Sequence, residues 1–449
     1  MISENQIKES NLCGKELDVV FAKKEKKNVG NKIKGYVIYM LIIIFILIFV
    51  LFIFGSMMHI KIVKLPEWLE NFPSRAEFST VKQMEKATFR LITKLFSNSH
   101  DNYVCSPFLT SLIVSLLLEG SRDETALEII QAMNWSSIDT SNLRSYFNDI
   151  LLHLNGGMEK VNIANQMFIE NGLEISQNYK EILRSYDADV INVDFKKINE
   201  TLSIINKWAI GKSRSLIKEL IRSGVINSAT IGVITSLMTF RGRWKVPFNK
   251  NLTQEGKFFL ENGKEISVKM MFSSGHFKHG YFPEYKLFAL ELPYEVPDIV
   301  MVILIPSNLQ DLKETLIKNE GELLLHLHSK MKNHNVEICL PKFQINTNIL
   351  LEEKLQSMGI EALFNSETSN MKGISSKEDF YIQKIIQGVH IEVDEEATEG
   401  SAHSTSIIGS RSLLTTICAD RPFIFYVQEK KYKSILFWGE YKTPLESLY

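Results

Sequence analysis

The residues of this chain that could do chemistry form no active-site pattern. There is no Gly-x-Ser-x-Gly elbow, no His-Glu-x-x-His and no Gly-x-x-x-x-Gly-Lys-Ser phosphate loop. No Cys-x-x-Cys or His-rich spacing offers a metal site, so neither cofactor nor metal is expected, and the chain is expected not to be an enzyme. One segment stands out instead. Residues 395–422 open on Glu395 and Glu396 and continue through small, polar and β-branched side chains with no helical apolar period. Arg411 is the lone strongly basic residue among them, followed by Ser412, before Ala419-Asp420-Arg421-Pro422 leads back into an apolar stretch. Composition makes this an exposed loop.

Its alternation is unlike that of an ordinary loop. Thr398, Gly400, Ala402 and Ser404 share one parity, and Glu399, Ser401, His403 and Thr405 the other. In a β-strand the two parities face opposite sides of a sheet. The first face is uniformly small, so the segment could slide between two strands without overpacking the layer beneath. His403, on the second parity, reads as a solvent-facing side chain.

This segment resembles the reactive-centre loop of a serpin, whose pattern has a Glu-Glu-Gly-Thr-Glu-Ala-Ala-Ala-type hinge, a bait residue and a return through Ala-Asp-x-Pro-Phe. The likeness covers residues 80 to 449. Asn102 to Ala132 is similar to the family's shutter region and following helix, Ala164-Asn165-Gln166-Met167-Phe168 to a sheet strand, and Ile205-Asn206-Lys207-Trp208 to a helix. Phe240-Arg241-Gly242-Arg243-Trp244 with Pro247-Phe248, Leu340-Pro341-Lys342-Phe343 and Ile435-Leu436-Phe437-Trp438-Gly439-Glu440 follow in family order.

The resemblance implies inhibition by being a substrate. Counted along the pattern, the bait is Arg411 and the scissile bond Arg411-Ser412, which suits a trypsin-like serine protease with an acidic specificity pocket. Attack on the Arg411 carbonyl would release the Ser412 amine and leave an acyl-enzyme. Residues from about Ala397 onward would then insert as a new central strand and distort the tethered protease before it deacylates. Inhibition is thus a race between insertion and hydrolysis. The hinge comprises Glu395, Glu396, Ala397, Thr398, Glu399, Gly400, Ser401, Ala402, His403 and Ser404. Ala397 stands where the family prefers Gly, and Gly400 where it prefers Ala; a strand Gly costs about 0.5–1 kcal/mol relative to Ala. No charge or Pro falls on the inward face. In the shutter and breach, Ser106 and Trp244 are retained, while Ser236 and Gln387 replace the family's Asn and His, and Leu109 replaces a Ser. The alternative is a non-inhibitory serpin acting as carrier, binding protein or chaperone.

The elements that must position this loop read as α+β. Phe89 to Phe96 and Thr110 to Met133 have helical spacing; Leu287 to Pro293 and Ile299 to Ile305 read as strands around a Pro297-Asp298 turn; Val336 to Leu340 and Phe423 to Val427 read as buried strands. The absence of regular βαβ units argues for mainly antiparallel sheets. Three β-sheets and about nine helices are what the resemblance implies. Residues 81–449, about 370 in all, suffice for one substantial core, and 45% hydrophobic with 23% charged residues is an ordinary globular composition.

Ahead of that body, Tyr36 to Phe54 is an uncharged apolar run of about 28 Å as a helix, close to a bilayer's hydrocarbon thickness. Lys23, Lys24, Lys26, Lys27, Lys32 and Lys34 precede it, and only Lys61 and Lys64 follow before Pro66. The bias predicts a cytoplasmic tail over 1–35, a transmembrane signal anchor over 36–55, a stalk over 56–80 and a serpin domain over 81–449 with its loop at about 395–420, outside the cell or in a lumen. A cleaved signal followed by secretion is the alternative reading. Asn134, Asn199 and Asn251 are glycosylation candidates. A net charge of -1 gives no argument for nucleic acid. Lys430-Lys431-Tyr432-Lys433 reads as a solvated turn, so a heparin-type polyanion has little support. A monomer is expected. Cys13 would be cytoplasmic; Cys105, Cys339 and Cys418 read as buried free thiols.

Overall fold

The computed structural model describes residues 75–96, 99–157, 161–375, 380–395 and 415–444. The chain divides into Met1–Phe72 and Pro73–Tyr449; only the second unit holds described residues. The expected tail, the 36–55 anchor and most of the stalk therefore lie outside them, as do residues 396–414 with Arg411 and Ser412. Among the described residues no helix is long and apolar enough to cross a membrane.

The chain opens with α1 (Arg75–Leu95), β1 (Tyr103–Cys105), α2 (Pro107–Gly120), α3 (Asp123–Ala132) and α4 (Thr140–Gly157). The helical stretch expected over Thr110 to Met133 is two helices. It breaks at Ser121 and Arg122, and Asp123 sits at φ 48. Pro107 at the first turn and the Ser106 hydroxyl, which accepts from Leu109 N–H at 3.1 Å, set the start of α2. Thirteen of its residues are buried, as suits a helix that is apolar all round.

There follow β2 (Val161–Glu170), α5 (Gln177–Ser185), β3 (Ala188–Val193), α6 (Ile198–Lys212) and β4 (Gly232–Arg241), then β5 (Gln254–Phe259), β6 (Glu265–Phe282), β7 (Leu287–Pro293) and β8 (Ile299–Pro306). Next come α7 (Leu309–Lys318), α8 (Glu322–Lys330), β9 (Lys332–Pro341), β10 (Phe343–Leu350) and α9 (Glu352–Gln356). The chain closes with β11 (Lys384–Val393), β12 (Thr416–Cys418), β13 (Phe423–Glu429) and β14 (Ser434–Tyr441). The described residues thus hold nine α-helices. The strands expected at Leu287 and Ile299 flank Asp298 at φ 64.

A five-stranded sheet has the order β10-β11-β4-β2-β3, and a nine-stranded one runs β1-β14-β13-β8-β7-β6-β9-β12 with β5 on β6. Among the described residues the strands form two hydrogen-bonded sheets, so the three-sheet expectation is not confirmed. β6 joins what would be separate ladders: its 18 residues pair with β5 at their start, with β9 through their middle and with β7 at their end. The main apolar core lies between the sheets and the helices, and a second cluster packs Ile205 and Ala209 of α6 against Phe168, Val233, Leu237 and Ile386 of the five-stranded sheet.

Cys339 and Cys418 correct the free-thiol expectation. Parallel pairing of β12 with β9 sets them directly opposite one another, with Cα atoms 4.5 Å apart, and they form a disulfide. Cys105 is a buried free thiol, its pKa pushed up to about 12 by burial, which leaves it unreactive.

Candidate functional site

The centre of the five-stranded sheet breaks its own pattern. β10 with β11 and β4 with β2 are antiparallel, but β11 and β4, between them, run parallel from Lys384↔Val233 to Glu392↔Arg241. A chain that leaves β11 and turns back must run antiparallel to β11, and therefore also to β4. Entering there, it would replace one parallel ladder by two antiparallel ones, which are slightly more stable per residue. Beyond β11 the chain continues through Asp394 and Glu395 into residues 396–414, which lie outside the described residues.

The middle of this seam is held by polar groups in an apolar layer. Gln387 stands opposite Ser236, and Ser236 opposite Asn165, on three neighbouring strands. Ser236 Oγ donates to Asn165 Oδ1 at 2.7 Å, and Asn165 Nδ2 donates to the Tyr186 carbonyl at 3.0 Å. Gln387 turns down to α2: its Oε1 accepts from Ser106 N–H at 2.8 Å, and its Nε2 donates to the Ser106 carbonyl at 2.9 Å and Thr110 Oγ1 at 3.0 Å. All these side chains are buried, so each bond also satisfies a group whose isolation would be costly. Ser106 thus caps α2 and ties it to β11. Thr110, Asn165 and Tyr186 were not singled out as site residues in the sequence, because a Thr within a helix and an Asn within a strand carry no local signal.

A second set of contacts holds the end of the seam where the loop departs. Trp244 Nε1 donates to the Asp394 carbonyl at 2.8 Å, and its ring stacks on Tyr294 with centroids 4.3 Å apart. Arg241 reaches Asp394 Oδ2 at 2.7 Å and Glu392 Oε2 at 3.5 Å. Glu395 accepts from Lys342 Nζ at 2.8 Å and Thr253 Oγ1 at 2.9 Å. Burial alone would raise the Glu395 carboxyl, but the bonds from Lys342 and Thr253 hold it below its ordinary value. Of the hinge residues named from sequence, Glu395 is the one within the described residues, and it is buried and latched rather than free; 396–404 lie outside.

Two outer-face features complete the region. His390, on β11 between Thr239 of β4 and Asn346 of β10, is buried, and among the described residues neither ring nitrogen has a hydrogen-bond partner. Residues 213–222, after α6, pass over the same face. Asn346 Nδ2 donates to the Leu216 carbonyl at 3.2 Å, Asn348 Nδ2 donates to the Glu219 carbonyl, and Asn206 Oδ1 accepts from Leu220 and Ile221 N–H at 2.8 and 3.0 Å.

Asn134, Asn199 and Asn251 are all exposed. In the basic turn, Lys430 pairs with Glu291 at 3.0 Å and Lys433 with Glu85 at 3.3 Å, so both ammonium groups have partners within the chain. Among the described residues no group of three or more His, Cys, Asp or Glu is arranged to hold a metal ion.

Comparison with known proteins agrees with this architecture. The profile of the family described as Serpin (serine protease inhibitor) matches residues 82–444. The leukocyte elastase inhibitor of Homo sapiens is 30% identical over 379 residues, covering 81% of this chain and all of the relative. A serine protease inhibitor of Cyanea capillata is 29% identical, over 76% of this chain and 92% of its own. Among solved structures, native protease nexin-1 with heparin superposes with a TM-score of 0.73 at 25% identity, covering 82% of this chain and 100% of that one. Mouse protein-Z dependent protease inhibitor, at 22% identity and the same TM-score, shares the fold. This chain belongs to the serpin family.

Proposed function

We propose that this serpin inhibits a trypsin-like serine protease as a suicide substrate, with Arg411 as bait and Arg411-Ser412 as the cleaved bond. The observation that carries the reading is the parallel β4–β11 seam, unoccupied by a strand and directly continued by residues 396–414. Cleavage frees the front part of that segment to add a strand, with a gain in ladder bonds and burial. Small side chains at Thr398, Gly400, Ala402 and Ser404 suit the inward face. The protease, esterified to Arg411, is carried with the strand.

The reading extends to location. The uncharged Tyr36 to Phe54 run with its lysine-rich flank supports a single-pass anchor with the serpin body on the far side of the membrane. The Cys339–Cys418 disulfide supports an oxidising compartment for that body, and the exposed sequons at Asn134, Asn199 and Asn251 are compatible with glycosylation there.

The full chain, incubated with trypsin, tests this by denaturing gel and intact mass. A denaturant-resistant adduct with cleavage after Arg411 is expected, and Arg411→Glu should abolish it. Clean cleavage without an adduct overturns inhibition and favours the carrier or binding-protein reading.

A further inference from the structure

β12 is three residues long and, among the described residues, pairs with β9 alone, through Thr416↔Glu337, Ile417↔Ile338 and Cys418↔Cys339. Its flanks add the Glu337 N–H to the Thr415 carbonyl at 3.1 Å and the Ala419 N–H to the Cys339 carbonyl at 2.9 Å. An edge strand this short opens easily by itself. The disulfide crosses the ladder at its last pair. We propose that Cys339–Cys418 is a redox-sensitive clamp that keeps β12 on β9, so that residues 396–414 enter the five-stranded sheet in full only after they have been cut.

Chain length sets the limit. Cys339 lies just before Lys342, whose Nζ meets Glu395, so β12 is pinned near the end of the seam where an entering strand begins. The β4–β11 ladder has nine paired positions, a run of about 30 Å. An uncut segment entering in full would descend that ladder, reverse, and climb back to β12. The two legs take about 18 residues and the reversal about two more, against the 19 residues of 396–414. Full entry with β12 in place has no slack, and release of β12 supplies it. Cleavage at Arg411-Ser412 removes the return leg, so the clamp does not oppose the cut form. Reduction by a dithiol transfers two electrons and two protons, breaks the one S–S bond and leaves two thiols, while the reductant closes to its own disulfide.

The inference rests on the insertion reading above, and one experiment separates the two. The full chain is warmed below its unfolding temperature as oxidised protein, with dithiothreitol, and as the Cys339→Ser/Cys418→Ser variant. Samples taken over time are probed for trypsin cleavage in 396–414 by mass analysis. In parallel, the thermal midpoint of each form is measured before and after cutting. The oxidised chain should stay cleavable, while the reduced chain and the variant should become resistant at least about tenfold faster. Cutting should raise the thermal midpoint of all three alike. Equal rates of resistance overturn the clamp while insertion stands, and so does a loop that stays cleavable in all three forms. If cutting raises no thermal midpoint, insertion itself fails and the clamp with it. Absence of the Cys339–Cys418 cross-link from a non-reducing peptide map also overturns the proposal. The reduced wild-type chain covers the case in which the double variant folds poorly.

Discussion

Gln387 and Ser236 stand opposite one another in the parallel ladder at the centre of the five-stranded sheet, yet each bonds away from the seam. Ser236 reaches Asn165 on β2, and Gln387 reaches Ser106 and Thr110 on α2. Through these two side chains the halves of the seam are fastened to different neighbours, although Ser106 Oγ also meets Met238 Sδ of β4 at 3.5 Å. Parting β4 from β11 need not break either side-chain set.

That division predicts near-independence. Gln387→Ala removes three bonds, strands the buried Ser106 N–H and leaves a cavity, at a cost of about 2–4 kcal/mol. Ser236→Ala leaves Asn165 Oδ1 without its donor and should cost about 1–2 kcal/mol. In a double-mutant cycle on thermal or urea midpoints, the coupling should stay below about 0.5 kcal/mol. A coupling of 1 kcal/mol or more, on the order of a shared bond, would mean the two side chains act as one network.

Glu395 gives the departing end of the seam a pH dependence. Its carboxyl is held below the ordinary 4.5 by Lys342 and Thr253 against the opposing effect of burial. A depressed carboxyl contributes stability that is complete above the unfolded value and is lost as pH falls through the folded one. Glu395→Gln should therefore lower the thermal midpoint at pH 7, and the gap from wild type should close as pH drops below 4.5. A gap that is constant across that range would show that the charge does not matter to the latch.

His328 acts in a different window. It accepts from or donates to Tyr426 Oη at 2.7 Å, and Glu291 lies 3.8 Å from its other nitrogen. Burial pushes its pKa down to about 4, with Glu291 opposing and Lys278, Lys430 and Lys433 assisting. The unfolded chain, with the ordinary value of 6.5, binds this proton first. Stability from this group is thus complete above 6.5 and is lost as pH falls towards 4, by about 3 kcal/mol in all. Comparing wild type with His328→Gln in urea at several pH values isolates this slope, which should vanish in the variant.

The strands were legible wherever burial writes a continuous apolar run, as at Leu287 to Pro293, Ile299 to Ile305 and Phe423 to Val427. Helical spacing over Thr110 to Met133 was equally clear, but not its break, since an Asp at positive φ has no periodic signature. Ser106, Trp244, Ser236 and Gln387 could be named only through resemblance to a family. Their partners could not, because register between distant strands chooses them. Cys339 and Cys418 are 79 residues apart and Lys342 and Glu395 are 53 apart. Nothing local distinguishes a thiol facing another across a parallel pair from one buried in apolar surroundings.

Gly388 ties the seam to the segment that crosses it. A Cβ there would meet Leu220 Cδ1 and Leu237 Cδ2 at 2.7 Å and Ile217 Cδ1 at 3.2 Å. Residues 213–222 therefore lie as close to β11 as a glycine allows, held down by Asn346, Asn348 and Asn206. Any strand added between β4 and β11 must first lift this cover. Gly388→Ala should cost about 1–3 kcal/mol by overpacking, with the cover loosened because Leu220 and Ile217 must move. Asn346→Ala removes one fastening without overpacking, at about 1 kcal/mol. If the cover resists insertion, both variants should insert faster than wild type after cutting, read as a quicker rise in resistance to urea unfolding. On a protease that forms an adduct, they should also need fewer inhibitor molecules per enzyme trapped. Slower insertion in both would mean that 213–222 guides the entering strand, and that its grip on the sheet assists the race with hydrolysis.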